Sequence, residues 1–281
     1  MSENPSSVRS ISRQCSLRDI LTKGQLEQDF FGSALSLRQV SIKYSCQPDT
    51  IMQFLGEYGI HIPRELKRTS KHVRQLLLQG AELTPRQKSI VVGALLGDAS
   101  INIGRGAGCR NASIRFWQGK GKKGYVEWLH KEMEPFSRDI RQIKGFEDTF
   151  EFSTVCYPAF NEFYNMFRKY GPKAVPENIQ DCLSILGLAV WFMDDGCTQK
   201  SYSFIATYAF SFEDCERLVI ILEDQFNLQA KVRMLRVAKT QKGYPELMFR
   251  VEAHKKLHSL IDPLLHSCFD YKKLKEQSLR D

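Results

Sequence analysis

Two short segments of the chain end in acids in the same manner. Val91-Val92-Gly93-Ala94-Leu95-Leu96-Gly97-Asp98-Ala99 and Leu188-Ala189-Val190-Trp191-Phe192-Met193-Asp194-Asp195-Gly196 are apolar runs with small residues inside them and a carboxylate at the tip. An apolar run is buried, and a carboxylate is costly to bury unless it is paired or metal-bound. Two such runs on one chain predict two helices packed face to face, with Asp98 and Asp195 brought together at their ends. Carboxylates held that close repel one another, so the pair calls for a divalent cation. The chemistry such a site can perform is metal-dependent phosphodiester cleavage. Mg2+ is the expected cofactor, with Mn2+ as a substitute, because one or two carboxylates plus a substrate phosphate oxygen hold Mg2+ well. Gly97 and Asp194, beside the two acids, join Asp98 and Asp195 in the expected metal set.

A lysine follows each acid at almost the same interval. Lys173 lies in Gly171-Pro172-Lys173-Ala174-Val175-Pro176, and Lys272 in Tyr271-Lys272-Lys273-Leu274. The elements between repeat as well. Thr84 and Pro85 form a strong helix start, with a capping hydroxyl and a proline suited to the first turn. The first acidic run continues that helix. Ile101–Phe116 alternates around a glycine-rich tip, a hairpin pattern. Tyr125–Met133 is helical, Ile140–Ile143 and Phe150–Val155 make a second hairpin, and Phe160, Phe163, Phe167 and Tyr170 mark an amphipathic helix. The second half repeats this order. Its helix Leu183–Asp194 is followed by strand Tyr202–Tyr208 and a helix capped at Ser211 that runs to Phe226. Strands Lys231–Val237 and Glu246–Val251 and helix His254–Leu265 complete it. The fold class is α+β: two pseudo-symmetric αββαββα repeats, 83–180 and 181–281, behind a small helical domain.

At these residues the chain resembles a LAGLIDADG homing endonuclease of the single-chain, two-motif type. LAVWFMDDG fits the nine-residue motif with Asp195 at the eighth place. VVGALLGDA is looser, with Asp98 at that place and Ala99 where glycine is usual. The resemblance implies that Asp98 and Asp195 are metal-binding carboxylates, one for each strand of a DNA duplex. It implies that Lys173 and Lys272 polarise the attacking waters or stabilise charge in the transition state. It further implies that two sheets form a saddle reading bases in the major groove. Arg115 and Tyr208 stand where polar amides often help place water, and Gln118 is a nearby substitute counted with the catalytic residues. Gly93, Ala94 and Ala189 are small enough for close helix approach.

Basic residues on the expected hairpins are the candidate DNA contacts: Arg105, Arg110 and Arg115 in the first half, Lys231, Arg233 and Arg236 in the second. Lys120 and Lys122, in a glycine-containing turn, suit the phosphate backbone. A formal charge of +8 and a pI near 9.0 favour a polyanionic partner. The partner expected is double-stranded DNA, bound by a monomer whose twofold is internal, with intron RNA as the alternative.

Ahead of the repeats, residues 1–23 are rich in Ser and Arg and are expected to be a disordered leader. Residues 24–61 are similar to a helix-turn-helix, one helix over Ser36–Tyr44 and another from Pro48 to Gly59. In that reading Gln47, Asp49, Thr50 and Gln53 face bases and Lys43 a phosphate. Residues 62–82 form a basic helical linker.

The eight scattered cysteines contain no CxxC pair and are expected to be reduced thiols of an intracellular protein. His254 and His258 share a helix face, expected to be solvated. No apolar run is long enough to span a bilayer. The function expected is a site-specific, metal-dependent DNA endonuclease cutting both strands of a long pseudo-palindromic target. A maturase binding intron RNA, or a transcription regulator on an inactive nuclease scaffold, are the alternatives.

Overall fold

The computed structural model of the protein describes residues 17–33, 35–62, 80–104, 110–143, 145–146, 148–168, 171–236 and 243–275. Most of the expected leader, nearly all of the linker and Arg105 lie outside the described residues. The chain divides into two compact units, Met1–Ala81 and Glu82–Asp281.

The first unit is helical: α1 (Leu17–Ile20), α2 (Lys23–Glu27) continuing as a π turn over Gln28–Gly32, α3 (Leu37–Lys43) and α4 (Pro48–Glu57). Leu21, Leu26, Phe30, Val40, Ile51 and Leu55 make its core. Residues 17–23 of the expected leader belong to this unit, where Leu21 is fully buried. Ser36 caps α3 with a complete capping box through Gln39, and Ser45 turns the chain toward α4 at φ +50°. Beneath these helices lies a buried acid that the sequence did not flag, Asp29. It accepts hydrogen bonds from Lys43 Nζ and Tyr44 OH, both at 2.7 Å. Burial alone would raise its pKa, but the bonds from Lys43, Tyr44 and Gln25 outweigh burial and hold it below the usual range.

The second unit contains two copies of one pattern. The first copy runs α5 (Pro85–Leu96), β1 (Ser100–Ile103), β2 (Ala112–Gln118), α6 (Lys123–Glu132), β3 (Arg141–Gln142), β4 (Phe150–Ser153) and α7 (Asn161–Arg168). The second runs α8 (Ile185–Asp195), β5 (Gly196–Thr198), β6 (Tyr202–Ala206), α9 (Phe212–Phe226), β7 (Ala230–Arg236), β8 (Gly243–Arg250) and α10 (Val251–Ile261). Both four-stranded sheets are antiparallel, and their orders β1-β2-β4-β3 and β5-β6-β8-β7 are the same order. Each sheet covers one face with helices. On β2, Ala112, Ile114, Phe116 and Gln118 are buried and Arg115 and Trp117 are exposed. The period of two thus separates a core face from an open face.

The copies meet through α5 and α8. The glycines there explain the close approach: a Cβ on Gly93 would lie 2.2 Å from the Gly187 carbonyl oxygen. No side chain fits between these backbones, which is why the apolar runs interrupt themselves with glycine. Thr84 closes a capping box with Gln87 at the start of α5, and the Ser184 hydroxyl caps α8. His254 and His258 depart from expectation. Both are buried, and each ring bonds the Ser203 hydroxyl, at 3.0 and 2.8 Å. The packing of α10 against α8 and the β6–β8 pair takes that face out of water.

Candidate active site at the tips of the helix pair

The helix pair delivers three carboxylates to one place. Asp98 follows the end of α5, Asp194 and Asp195 end α8, and all three are partly buried. The seventh motif positions oppose one another: a Cβ on Gly97 would lie 2.5 Å from Asp194 Oδ2. The missing side chain at Gly97 is thus the space that Asp194 occupies. The Asp98 backbone N–H donates to Asp194 Oδ2 at 3.3 Å. Gln118, at the end of β2, donates its Nε2 to Asp98 Oδ2 at 2.9 Å and to Asp194 Oδ1 at 3.0 Å. Tyr125 OH donates to Asp194 Oδ1 at 3.3 Å, and Trp117 Nε1 to the Asp98 carbonyl at 3.1 Å. Tyr125 and Trp117 are members of this cluster that sequence reasoning missed; Tyr125 on α6 was visible only as the start of a helical segment.

The lysines sit on the helix ends. Lys173 Nζ donates to the Gly97 carbonyl. Lys272 Nζ donates to the carbonyls of Phe192, Met193 and Asp194, at 3.1, 2.6 and 3.5 Å. Each ammonium therefore sits on carbonyls at the C-terminal end of its own motif helix, where the helix dipole favours a cation. Gly97, expected among metal ligands through its carbonyl, is the acceptor of Lys173. Asp194, expected as a metal ligand, has both oxygens engaged by the protein.

Electrostatics follow from that crowding. Burial, then the charges of Asp98 and Asp195, push Asp194 well above the usual carboxylate range. Burial, with Asp98 adding repulsion, raises Asp195 to about 7 against the pull of Lys173, Lys272 and Lys122. Burial lowers Lys173, although the three acids hold it up. Burial and the neighbouring Lys122 lower Lys272 to about 8. Lys122, expected at the DNA backbone, lies with its ammonium 4.8 Å from the centre of the Phe269 ring and acts on this cluster.

A dication fits this donor set. Asp98 and Asp195 are only partly buried, and the repulsion by Asp98 that helps to raise Asp195 is what a dication between them would relieve. Among the described residues no three His, Cys, Asp or Glu groups come together to hold a metal by themselves. Such an ion would take its remaining ligands from phosphate oxygens and water, as Mg2+ commonly does.

The other expected contacts divide. Arg110 and Lys120 are exposed in the turns around β2, and Lys231 is exposed on β7. Arg115 pairs with Glu151, and Arg233 pairs with Glu246 at 2.5 Å. Tyr208 OH donates to Glu246 at 3.0 Å, so neither Arg115 nor Tyr208 points its polar group at the acids. Arg236 closes the β7 ladder opposite Gly243. In the first unit, Gln47, Asp49 and Gln53 are exposed and Thr50 half-buried. Gln53 bonds Glu57 at 3.1 Å. Lys43 is tied to Asp29 rather than standing unengaged for a phosphate.

Two acid-tipped helices flanked by two equivalent antiparallel sheets define the homing endonuclease fold. The solved structure of the homing endonuclease I-WcaI bound to its DNA recognition sequence aligns with a TM-score of 0.63 at 21% identity, over 74% of this chain and 94% of that one. Residues 88–257 match the LAGLIDADG DNA endonuclease family, and the chain belongs to that family. Intron-encoded endonuclease ai4 of Dictyostelium discoideum is 31% identical over 131 residues, 46% of this chain and 79% of that protein. Cytochrome b mRNA maturase bI2 of Saccharomyces cerevisiae is 28% identical over 160 residues, 51% of this chain. The chain spans only 37% of the length of that maturase and 57% of its Debaryomyces hansenii counterpart.

Proposed function

We propose that this chain is a site-specific, divalent-metal-dependent DNA endonuclease that breaks both strands of a long, imperfectly symmetric target. The observation that carries the reading is the pairing of Asp98 and Asp195 at the helix tips, each with a lysine fixed on its own helix end. Asp98 and Asp195 would hold Mg2+, or Mn2+ in its stead. The bound ion would supply an activated water and neutralise charge on the leaving oxygen. Lys173 and Lys272 offer positive charge beside the acids, where the transition state gains negative charge. Lys272, lowered to about 8, can also exchange a proton near neutral pH. Gln118 fixes the Asp98 carboxylate in one orientation. The open sheet faces would bind duplex DNA, and a single chain suffices because both halves are present. The helices of the first unit would add a second DNA contact through Gln47, Asp49, Thr50 and Gln53.

The test is a cleavage selection. The protein and an Asp98→Asn/Asp195→Asn variant each meet a randomised duplex library, or DNA spanning the gene's insertion site, with Mg2+. Discrete double-strand cuts that the variant does not make establish the function. Likeness to the bI2 maturases supports a second reading, an RNA-binding maturase. That reading requires tight binding of structured intron RNA and no metal-dependent cutting.

A further inference from the structure

The open face of each sheet carries a buried glutamate, which is an odd residue for a surface meant to meet a polyanion. Glu151 on β4 is 4% exposed and Glu246 on β8 is 1% exposed. They occupy the same place in the two copies. Glu151 lies opposite Trp117 on one side and Arg141 on the other; Glu246 lies opposite Ala206 and Arg233. In both sheets the cross-strand neighbour on the outer strand is an arginine.

Both oxygens of each glutamate are already engaged. Glu151 Oε1 accepts from Arg141 Nε at 2.6 Å, and its Oε2 accepts from Arg115. Glu246 Oε2 accepts from Arg233 Nε and Nη2 at 3.1 and 2.5 Å, and its Oε1 from Tyr208 OH. The acids are thus poorly placed to accept a hydrogen bond from a base edge themselves. Their charge also offsets the arginines, which weakens them as phosphate clamps. What the arrangement provides is orientation. A guanidinium has five N–H donors in a rigid fork, and a carboxylate takes only some of them. Arg115, Arg141 and Arg233 keep 47%, 72% and 36% of their side-chain surface exposed. Arg233 is further held 5.8 and 5.5 Å from the ring centres of Tyr202 and Phe204. An arginine fixed in advance loses less rotamer entropy when it binds, and bidentate donation to guanine O6 and N7 is the commonest specific major-groove contact.

We propose that Glu151 and Glu246 are specificity-determining positioning residues, which hold the arginines of the two open sheet faces in place to read guanine at matched positions of the two half-sites. The inference rests on the DNA-binding reading above. Its test is selection of bound duplexes from a randomised library, read base by base, alongside affinity for a fixed non-target duplex and thermal melting. The expected result with Glu151→Gln is a roughly 10- to 100-fold loss of guanine preference at one or two positions of a single half-site. The other half-site is unchanged, and affinity for non-target DNA is equal or higher because a negative charge is gone. Glu246→Gln gives the same result in the opposite half. Arg141→Lys and Arg233→Lys, which keep the ion pair but not the fork, reproduce the loss in folded protein even where a glutamine variant melts early. Uniform weakening on all sequences, or base preferences unmoved by these lysine variants, overturns the proposal. A parent protein that binds duplexes without any base preference overturns the endonuclease reading itself.

Discussion

Around Asp98 the first sheet reaches into the acid cluster; around Asp195 the second sheet stays out of it. Trp117 and Gln118 end β2, and both bond to Asp98. The strand register puts Ala206 and Thr207 at the same places in the second copy. Alanine has nothing to offer, and Thr207 donates its hydroxyl to the Pro245 carbonyl at 2.7 Å, within its own sheet. The lysines differ too, one carbonyl held by Lys173 against three by Lys272. Strand order, buried glutamates and lysine-covered helix ends are common to both halves, whereas the groups touching the acids are not. Duplicated scaffolding therefore coexists with two chemically unequal ends of one site.

The sharpest challenge to that comparison is removal of the acids. Asp98→Asn and Asp195→Asn should each reduce double-strand cleavage by at least about 1,000-fold, as loss of a metal-holding carboxylate does, with DNA affinity in gel shifts changed only a few-fold. If one variant still nicks a single strand, the nicked strand identifies the half that retains its chemistry. The lysines come next. Lys173→Met and Lys272→Met should lower single-turnover cleavage by roughly 10- to 100-fold. Lys272→Met should also lower the melting temperature more, because Lys272 bonds three helix-end carbonyls against one for Lys173.

A pH measurement addresses the second half alone. Asp195 holds its proton to about 7 in the fold, and an unfolded chain releases it near pH 4. The folded state therefore binds the extra proton between those values, and its stability falls as pH rises through that window. Asp195→Asn should melt about 2–6 °C higher than the parent at pH 8 in a chelator, and the gain should vanish below pH 4. Mg2+ should raise the parent's melting temperature at pH 8 more than the variant's. The smallest expected effect is the most direct test of inequality. Gln118→Ala should slow cleavage of one strand by about tenfold, roughly the weight of one hydrogen bond to a charged group. Thr207→Val should leave both strand rates unchanged, as read by accumulation of nicked plasmid.

Much of this architecture was legible in sequence. Thr84, Pro85 and the apolar runs announced the motif helices, alternation announced β2, and Tyr202–Tyr208 and Lys231–Val237 read as strands where β6 and β7 lie. The acids were legible as carboxylates at the tips of apolar runs, and the lysines by their matching intervals after those acids. What was hidden depends on partners remote in sequence. Glu151 lies in Phe150-Glu151-Phe152, where an ordinary strand would put a solvated acid; only the arrival of Arg115 and Arg141 buries it. Nothing local to Asp194 announces that Gly97 stands opposite it and leaves room for its side chain. His254 and His258 looked solvated because the Ser203 hydroxyl they share is on another element. A strand as short as Gly196–Thr198 carries too few residues for a period to register.

The contact between Gly93 and Gly187 has a consequence for length. Because bare backbone meets bare backbone there, the interval between the two helices is set at that crossing by the thickness of two polypeptide chains, and at the acidic tips by the one side chain, Asp194, that Gly97 makes room for. That interval is a ruler built into the protein. Substitutions elsewhere can change which bases the sheets recognise without altering its graduation. Two halves taken from different chains of this kind would keep the same gauge as long as each brought its glycine.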